Sequence, residues 1–397
     1  MNFKTSPGNI ISNKNGMALL VTLALISVVC VAVFELTKKL GASALTIMSE
    51  TNNFKAEKMA FSGINLAMLI LANDANHSNS DIDSIQEPWA DPVKLAKAVN
   101  ALEFKDGELV LSISDELGKI QINALINEYP GHKFNEHQKK LWERFLALAI
   151  SSDKSLDVRN ASEIINCIKD WLDSNDDDAI TGLSGAESEY YEALNYPYQC
   201  SNGPLNKVDE LLMIKGISQD LLKIKKNSME LYSDIITKNQ NIANLEQDLI
   251  VFPSLSQIFT VFGIEDNNDN KKVKNSRFKY PGTININTAN GIILASILPV
   301  GMEDQAKELI AFRSEKNQNS KIFANTLDKG WYKQIIKLSQ NEKKQFEKLI
   351  RYSSSVYRAE AKIQFNTTNV SLIGFIKREK NKETGKWQSK LLKLDRK

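Results

Sequence analysis

The chain has 397 residues, with 50 basic and 48 acidic side chains and a formal net charge of +2. This length is sufficient for about two to three domains with hydrophobic cores. The near balance of charge argues against a protein that binds nucleic acid through a broad basic surface. The sequence also lacks the G-x-S-x-G, H-E-x-x-H and P-loop motifs, so no enzyme class is indicated.

An apolar segment without a charged side chain runs from Met17 to Phe34. At 1.5 Å per residue it covers about 27 Å, close to the thickness of a thin hydrocarbon core. Lys4 and Lys14 precede it and would hold the leader in the cytoplasm. Three interpretations are open for this segment: a secretory signal, an uncut single-span anchor, and a leader of the type IV prepilin kind that is cut after Gly16.

Apolar residues continue at helical spacing beyond Phe34, which predicts one long helix whose second half packs on a globular domain. Asp106-Gly107 stands between Leu102–Lys105 and the alternating segment Glu108–Ser114, a pattern that predicts a β-hairpin. Helical patterns then dominate. Alternation of apolar and polar residues returns at Ser354–Phe365, and two further strand-like segments follow, the second of which ends at Leu394. The predicted fold class is therefore α+β.

The order of these patterns predicts a pilin-like long helix and a small antiparallel sheet, with a large all-α domain inserted between the strands. We divide the chain into a leader at 1–16 and a transmembrane helix with the first part of the α/β domain at 17–125. The inserted helical domain occupies 126–352, and the closing strands occupy 353–397.

Two segments of the predicted inserted domain resemble helix-hairpin-helix or SAM-like units. The first spans 207–225 around Gly216, and the second spans 280–313 around Gly301, with Thr288 as its predicted helix cap. The DNA-binding form uses a Gly-apolar-Gly turn whose N–H groups bind phosphate, but each turn here has one glycine. Glu303 and the following acid would also repel phosphate. These units are therefore predicted to be structural or partner-binding.

An acid-rich segment just before the middle of the chain indicates a cation site. Asp173, Asn175 and Asp177 stand at alternate positions, which lets a turning loop direct three oxygen ligands to one point. Further carboxylates follow at Asp178, Glu187 and Glu189. The EF-hand pattern is not met, because Asp178 and Ser184 stand where that loop needs Gly and Glu. The sequence predicts a Ca²⁺ loop of another kind, and a solvated acidic loop is the alternative.

The chain has three cysteines. Cys30 lies in the apolar segment and is interpreted as a small buried hydrophobe. Cys167 and Cys200 remain as an even pair in the exported part, where an oxidising compartment favours a disulfide over two buried thiols.

In order along the chain, these features resemble the minor pseudopilin K family of type II secretion systems, also called general secretion pathway protein K. The resemblance covers nearly the whole chain. The segments that carry it are Gly16-Met17-Ala18-Leu19-Leu20, Ser114-Asp115-Glu116-Leu117-Gly118-Lys119-Ile120, Asp170-Trp171-Leu172-Asp173, Gly185-Ala186-Glu187, Tyr190-Tyr191, Tyr196-Pro197-Tyr198, Asn202-Gly203-Pro204 and Ile284-Asn285-Ile286-Asn287-Thr288-Ala289.

The resemblance implies cleavage by prepilin peptidase between Gly16 and Met17 and methylation of Met17, although most pseudopilins begin with Phe. Most also carry Glu at the fifth mature position, which is Val21 here. In a filament that Glu would neutralise the ammonium group of the subunit above, a pairing favoured in a low dielectric. A subunit with nothing above it needs no such acid, so Val21 indicates a position at the tip.

The resemblance also implies one or two Ca²⁺ ions in the inserted domain. Its ligands would be Asp173, Asp177, Asp178 and Glu187, with Asn175 and Asn202 as further candidates. The expected partners are minor pseudopilins I and J in a tip complex, other pseudopilins, prepilin peptidase, and the inner membrane through 17–34. No nucleic-acid partner is expected.

From these features we expect a non-enzymatic protein that crosses the inner membrane once, with its N-terminus in the cytoplasm and its bulk in the periplasm. We expect it to initiate or cap a pseudopilus for export of folded proteins. The alternative is a membrane-anchored DNA-binding protein of the competence type, which uses similar INTA-containing units. A membrane-anchored hydrolase, supported only by scattered acids, is a third class.

Overall fold

The structure is a computed structural model, and it describes residues 14–77, 81–151, 159–176, 184–218, 254–264, 277–317 and 322–397. Its first element is α1, Lys14–His77, a helix of 64 residues. Every residue of the apolar segment 17–34 is exposed. This helix is long and apolar enough to cross a membrane at its N-terminal end.

The second half of α1 packs on a sheet through a stripe of small and aliphatic side chains. The stripe is fully buried and consists of Ala56, Ala60, Ile64, Ala67 and Leu71. Spacings of three and four residues place these side chains on one face of the helix. At Gly63, a Cβ atom would lie 3.1 Å from Leu109 and 3.2 Å from Ala361, so the helix backbone approaches the sheet closely there.

The sheet has four antiparallel strands in the order β1-β6-β7-β8. Its strands are β1 Glu108–Asp115, β6 Val356–Phe365, β7 Thr368–Lys380 and β8 Trp387–Arg396. Strand β1 alternates exposed and buried residues, as its sequence predicts. It pairs with β6, across more than two hundred residues of chain, with Leu111 opposite Ala361.

The predicted hairpin at Asp106-Gly107 is wrong. Helix α2, Pro92–Asn100, occupies the preceding segment, and the chain from Leu102 to Lys105 forms a turn and not a strand. Glu103 and Gly107 both have positive φ values, 48° and 91°, which reverse the chain into β1. Because β6 provides a full-length partner for β1, the short upstream segment is not needed for pairing.

The described part of the region between β1 and β6 contains mainly helices as its regular structure. Its helices are α3 Glu136–Ser151, α4 Arg159–Leu172, α5 Ser188–Glu192, α6 Leu255–Ile258, α7 Gly291–Ile297, α8 Gln305–Ser314 and α9 Gln340–Glu347. Two short pairs of parallel strands join distant parts of this region. In the first pair, β2 Ile120–Gln121 lies beside β3 Phe259–Thr260, and in the second, β4 Ile284–Asn285 lies beside β5 Ile350–Arg351. Short 3-10 helices lie at Pro88–Ala90, Ile122–Leu125, Val208–Met213 and Trp331–Gln334.

Two hydrophobic clusters form the core. One lies between α1 and the sheet and includes Trp89, which contacts Tyr357 edge to face at 5.1 Å between ring centroids. The other fills the helical region and includes Trp142, Trp171 and Trp331. The predicted α+β class is confirmed, with a long N-terminal helix, an antiparallel sheet and many helices. The predicted domain limits stay predictions.

The second predicted hairpin unit is present as α7 and α8, joined by a turn at Gly301 with a φ of 87°. Asn290, and not Thr288, caps α7, because the Asn290 side chain accepts a 3.1 Å hydrogen bond from the Ile293 N–H. The first predicted unit begins as the 3-10 helix Val208–Met213, and its part after Ser218 lies outside the described residues.

Candidate functional site

The last turn of α4 places three charged side chains together in the interior. Lys169, Asp170 and Asp173 are completely buried. The Lys169 ammonium pairs with the Asp173 carboxylate and lies 3.5 Å from an Asp170 oxygen. Spacings of three and four residues put these groups on one helix face. The other Asp170 oxygen accepts a 2.9 Å hydrogen bond from the Ala186 N–H, which ties the following loop to α4.

The chain after α4 adds further oxygen atoms. The Asn175 amide, oriented to donate, lies 3.1 and 3.2 Å from the two Asp173 oxygens. Asp176 accepts a 3.0 Å hydrogen bond from the Ser188 N–H. This bond brings the start of α5, and Glu187 before it, against the acidic segment.

Glu187 is the group in this cluster whose charge is least compensated. Both of its carboxylate oxygens are buried and have no hydrogen-bond partner among the described residues. Burial, with the nearby carboxylates of Asp170 and Asp173 as smaller causes, raises the pKa of Glu187 to about 8. The Asn202 Oδ1 atom is likewise buried without a partner. Unpartnered buried oxygens are costly unless a donor or a cation satisfies them, so these residues fit a hard cation such as Ca²⁺.

Three of the predicted metal ligands, Asp173, Asn175 and Glu187, lie in the same acidic neighbourhood, and their role in binding a metal stays a prediction. Among the described residues, the carboxylates that each place an oxygen within 4.8 Å of the others are Asp74, Asp83 and Glu87. Asn202 lies two residues after Cys200, whose Sγ is 3.7 Å from the Asp170 carbonyl oxygen. Asp177 and Asp178 lie outside the described residues. The spacing of the acids did not indicate that Lys169 joins this cluster, although Lys169 stands four residues before Asp173, a helical spacing that is visible in the sequence.

Cys167 and Cys200 are both free thiols in the structure, so the predicted disulfide is absent from it. Burial raises the pKa of each thiol to about 12, which keeps both in the neutral form that does not react. Both flank the acidic cluster, since the Cys167 Sγ is 3.9 Å from the Ser184 carbonyl oxygen. The pairing of these cysteines in an oxidising compartment stays a prediction.

The predicted processing site lies at the start of α1. Gly16, Met17 and Val21 all belong to the exposed first part of the helix, and nothing lies within 4 Å of a Cβ atom placed on Gly16. The N-terminal helix fits a single-pass membrane anchor by length and composition.

The hairpin turn between α7 and α8 holds a carboxylate of its own. Glu303 Oε1 accepts a 2.9 Å hydrogen bond from the Gly301 N–H. In a phosphate-binding turn this N–H would face the ligand. Here an acidic side chain satisfies it and places negative charge at the same position.

The Ile284–Ala289 segment joins the helical region to the sheet. It is one of the segments on which the resemblance to the protein K family is based. The Asn285 amide donates 3.0 Å hydrogen bonds to the Asp115 carboxylate at the end of β1 and to the Ser354 hydroxyl before β6. Thr288 and Ser354 also donate to the same Asp115 oxygen, at 2.6 and 2.5 Å. Desolvation raises the pKa of Asp115 despite these three donors.

A buried arginine extends this junction on the sheet side. Arg378 of β7 pairs with Asp83 and lies 3.4 Å from Asp74 at the end of α1. Asp83 in turn accepts a 2.7 Å hydrogen bond from the Ser354 N–H. Glu87 lies beside these acids and accepts from the Trp89 indole N–H at 2.7 Å. The motif residues at this junction are thus structural and form no catalytic arrangement among the described residues.

Comparison with known proteins gives concordant results. Residues 118–225 match the family model for protein K of the type II secretion system. A type II secretion system protein K of Aeromonas hydrophila is 25% identical over 240 residues, which cover 59% of this chain and 69% of that protein. The corresponding protein of Klebsiella pneumoniae is 24% identical over 217 residues, covering 52% of this chain and 60% of that protein.

The fold is similar to that of a solved structure, the crystal structure of the GspK-GspI-GspJ complex from the type 2 secretion system of enterotoxigenic Escherichia coli. The TM-score is 0.55 at 14% sequence identity, and the match covers 88% of this chain and 98% of the solved chain. At this identity the match establishes a common fold.

The long helix, the antiparallel sheet and the helical region inserted between its strands define a pilin-like protein with an enlarged globular part. The predicted resemblance to the protein K family of type II secretion systems is confirmed, and residues 118–225 match the model of that family. Together these findings support a minor pseudopilin of a type II secretion system.

Proposed function

We propose that this chain is a minor pseudopilin that occupies the tip of the pseudopilus and helps to initiate or cap it during export of folded proteins. One observation carries the proposal. The segment 17–34 of α1 is apolar and entirely exposed, whereas the second half of the helix buries one face on the sheet. An exposed apolar helix of this length needs a membrane or other apolar helices around it, and a pseudopilus assembled from the membrane provides both.

The tip position rests on Val21 and on the size of the globular part. Val21 offers no carboxylate to neutralise the N-terminal ammonium of a subunit above. The helical region between β1 and β6 also enlarges the head beyond what a small pilin sheet requires. Both features disfavour addition of another subunit above this one, so the chain would act as an end of the filament.

Its proposed partners are minor pseudopilins I and J, in keeping with the GspK-GspI-GspJ complex that shares its fold. Other pseudopilins would pack beside α1, and prepilin peptidase would cut between Gly16 and Met17. Before assembly the protein would span the inner membrane once through 17–34, with its N-terminus in the cytoplasm and its bulk in the periplasm.

Calcium binding is the second part of the proposal. Asp173, Asn175, Glu187 and Asn202 would hold the ion, with Asp177 and Asp178 as further ligands. A bound cation would satisfy the buried oxygens of Glu187 and Asn202 and stabilise the connection between α4 and α5. Because the site contains Lys169 as well as the acids, the charge that remains for a cation is smaller than the acid count suggests.

The DNA-binding alternative is disfavoured by the turn at Gly301. Its N–H already donates to the Glu303 carboxylate, and a phosphate at that position would meet this negative charge.

The test is the mass of the mature N-terminal peptide, purified from cells with and without prepilin peptidase. We expect a methylated Met17 start that appears only when the peptidase is present. A start near Leu45, or an uncut Met1, would refute pilin-type processing. The Gly16→Ala variant tests the same site within the chain and should remain uncut, whereas Gly41→Ala, an exposed control in the same helix, should be processed normally.

A further inference from the structure

Strand β8 is an outer strand whose free edge is available for pairing. It has ten residues and bonds to β7 on one side only. The opposite outer strand, β1, is contacted by α2. Native proteins usually cover or disrupt long edge strands, because unpaired backbone groups recruit other strands.

One residue of this edge already has a substitute for a partner strand. The Asn76 side chain donates to the Trp387 carbonyl oxygen at 3.0 Å and accepts from the Trp387 N–H at 2.9 Å. These two bonds reproduce those of a neighbouring strand. Because backbone groups alternate in direction along a strand, those of Ser389 and Leu391 point outward in the same way. No hydrogen bond of these outward groups to a described residue is present.

The charge on this strand indicates the chemistry of its occupant. Strand β8 contains three basic side chains and one acidic side chain, a net charge of +2, and its Lys393 and Arg396 already pair with Asp395 and Glu57. The register places Lys390 directly opposite Lys377 of β7, and Lys377 lies 3.8 Å from the Glu379 carboxylate of its own strand. An acidic residue of an added strand, on the far side of the exposed Lys390, would supply a counter-charge for Lys390. Leu392 and Leu394 are 42% and 39% exposed and would contact apolar side chains of the same partner.

We propose that the edge of β8 binds an extended acidic segment of another protein, which adds to the sheet as a fifth strand beyond Asn76. A second copy of β8 would bring one strand of net charge +2 against another, so this chain is not its own partner there. The inference does not depend on calcium binding, on processing or on the position in a filament.

The test uses the full chain in detergent micelles and three fluorescent decapeptides. The first alternates glutamate and threonine, the second alternates lysine and threonine, and the third is the glutamate peptide N-methylated at every second residue. We expect saturable binding of the first peptide alone in fluorescence anisotropy. Ser389→Pro, which removes an outward N–H and leaves the bonds to β7 intact, should abolish this binding.

Lys390→Glu provides a second variant that keeps every backbone group. It should weaken binding of the glutamate peptide by about tenfold or more, whereas Lys382→Glu, in the exposed turn before β8, should not change it. Equal binding of the N-methylated peptide would mean that charge attraction alone holds the glutamate peptide, and it would overturn strand addition. Absence of binding by the glutamate peptide, or self-association that Ser389→Pro abolishes, would also overturn the proposal.

Discussion

The Asn285 amide and the Asp115 carboxylate lie 3.0 Å apart and join the helical region to the end of β1. Both side chains are buried. The same amide nitrogen also lies 3.0 Å from the Asp83 carbonyl oxygen and from the Ser354 hydroxyl, and its two N–H groups are shared among these three acceptors, so one side chain connects four segments. The Ile284–Ala289 segment thereby has a structural explanation that needs no ligand.

Asn285→Ala should lower the free energy of unfolding by about 2–4 kcal/mol, because it leaves the buried Asp115 carboxylate with one donor fewer and opens a polar cavity. The measurement is urea unfolding of the full chain in detergent. Asn369→Ala, at an exposed position of β7, is the matched control and should change stability by less than about 0.5 kcal/mol. Equal effects of the two substitutions would contradict the role of Asn285.

The close approach of α1 to the sheet gives a second prediction. Gly63→Leu should destabilise the chain by about 1–3 kcal/mol, because the new side chain would overlap Leu109 and Ala361. Asn65→Leu, on the exposed face of the same helix, should be close to neutral. Circular dichroism during thermal unfolding compares them, and a stable Gly63→Leu variant would mean that the helix lies farther from the sheet.

The elements that the sequence predicted correctly are those with a strong local pattern. In the apolar segment 17–34 and in strands β1 and β6, the local pattern of apolar and polar residues is enough to predict the element. Helix α1 and most of the sheet could therefore be predicted from periodicity. The hairpin at Asp106-Gly107 failed because strand pairing is decided by the tertiary partner. Leu102–Lys105 forms a turn where β6 supplies the pairing.

The candidate site was predictable only in part. Acid spacing identified Asp173 and Asn175, but it did not indicate that Lys169 would enter the same interior region and pair with Asp173. Thr288 has the residue type of a helix cap, yet its hydroxyl donates to Asp115, and Asn290 caps α7. Such choices between nearby polar groups depend on tertiary contacts that local propensity does not contain.

Glu87 gives a third prediction, on pH. Burial, followed by repulsion from Asp74 and Asp83, raises its pKa from 4.5 to about 7 in the folded chain. The folded state therefore binds more protons than the unfolded state between these values. The stability contributed by this group is complete below pH 4.5 and is lost as the pH rises through 7.

Glu87→Gln removes the charge and retains an oxygen that can accept from Trp89. The variant should therefore gain stability over the wild type as the pH rises from 5 to 8, by on the order of 1–2 kcal/mol at the upper end. Urea unfolding at several pH values measures this difference. Glu383→Gln, in the exposed turn before β8, should show no such trend, and a constant difference for Glu87→Gln would contradict the raised pKa.

The fourth prediction concerns the proposed calcium site, where Glu187 is a better probe than Asp173. Loss of the Asp173 carboxylate would leave the buried Lys169 ammonium without its main partner, so Asp173→Ala would destabilise the fold even without a metal. Glu187 has no described partner to lose. Glu187→Gln should therefore retain or gain stability in chelator, where removal of an uncompensated buried charge is favourable.

In calcium buffer the order should reverse. An ion that binds only the native state stabilises it by about 2.7 kcal/mol when its concentration is a hundred times Kd, and Glu187→Gln should lose most of that increment. Glu189→Gln, exposed and two residues away, should respond to calcium as the wild type does. Thermal unfolding of the three proteins in calcium and in chelator provides the comparison. An equal calcium shift in all three would mean that the buried oxygens of Glu187 do not bind the ion, and their unpartnered state would then require another donor.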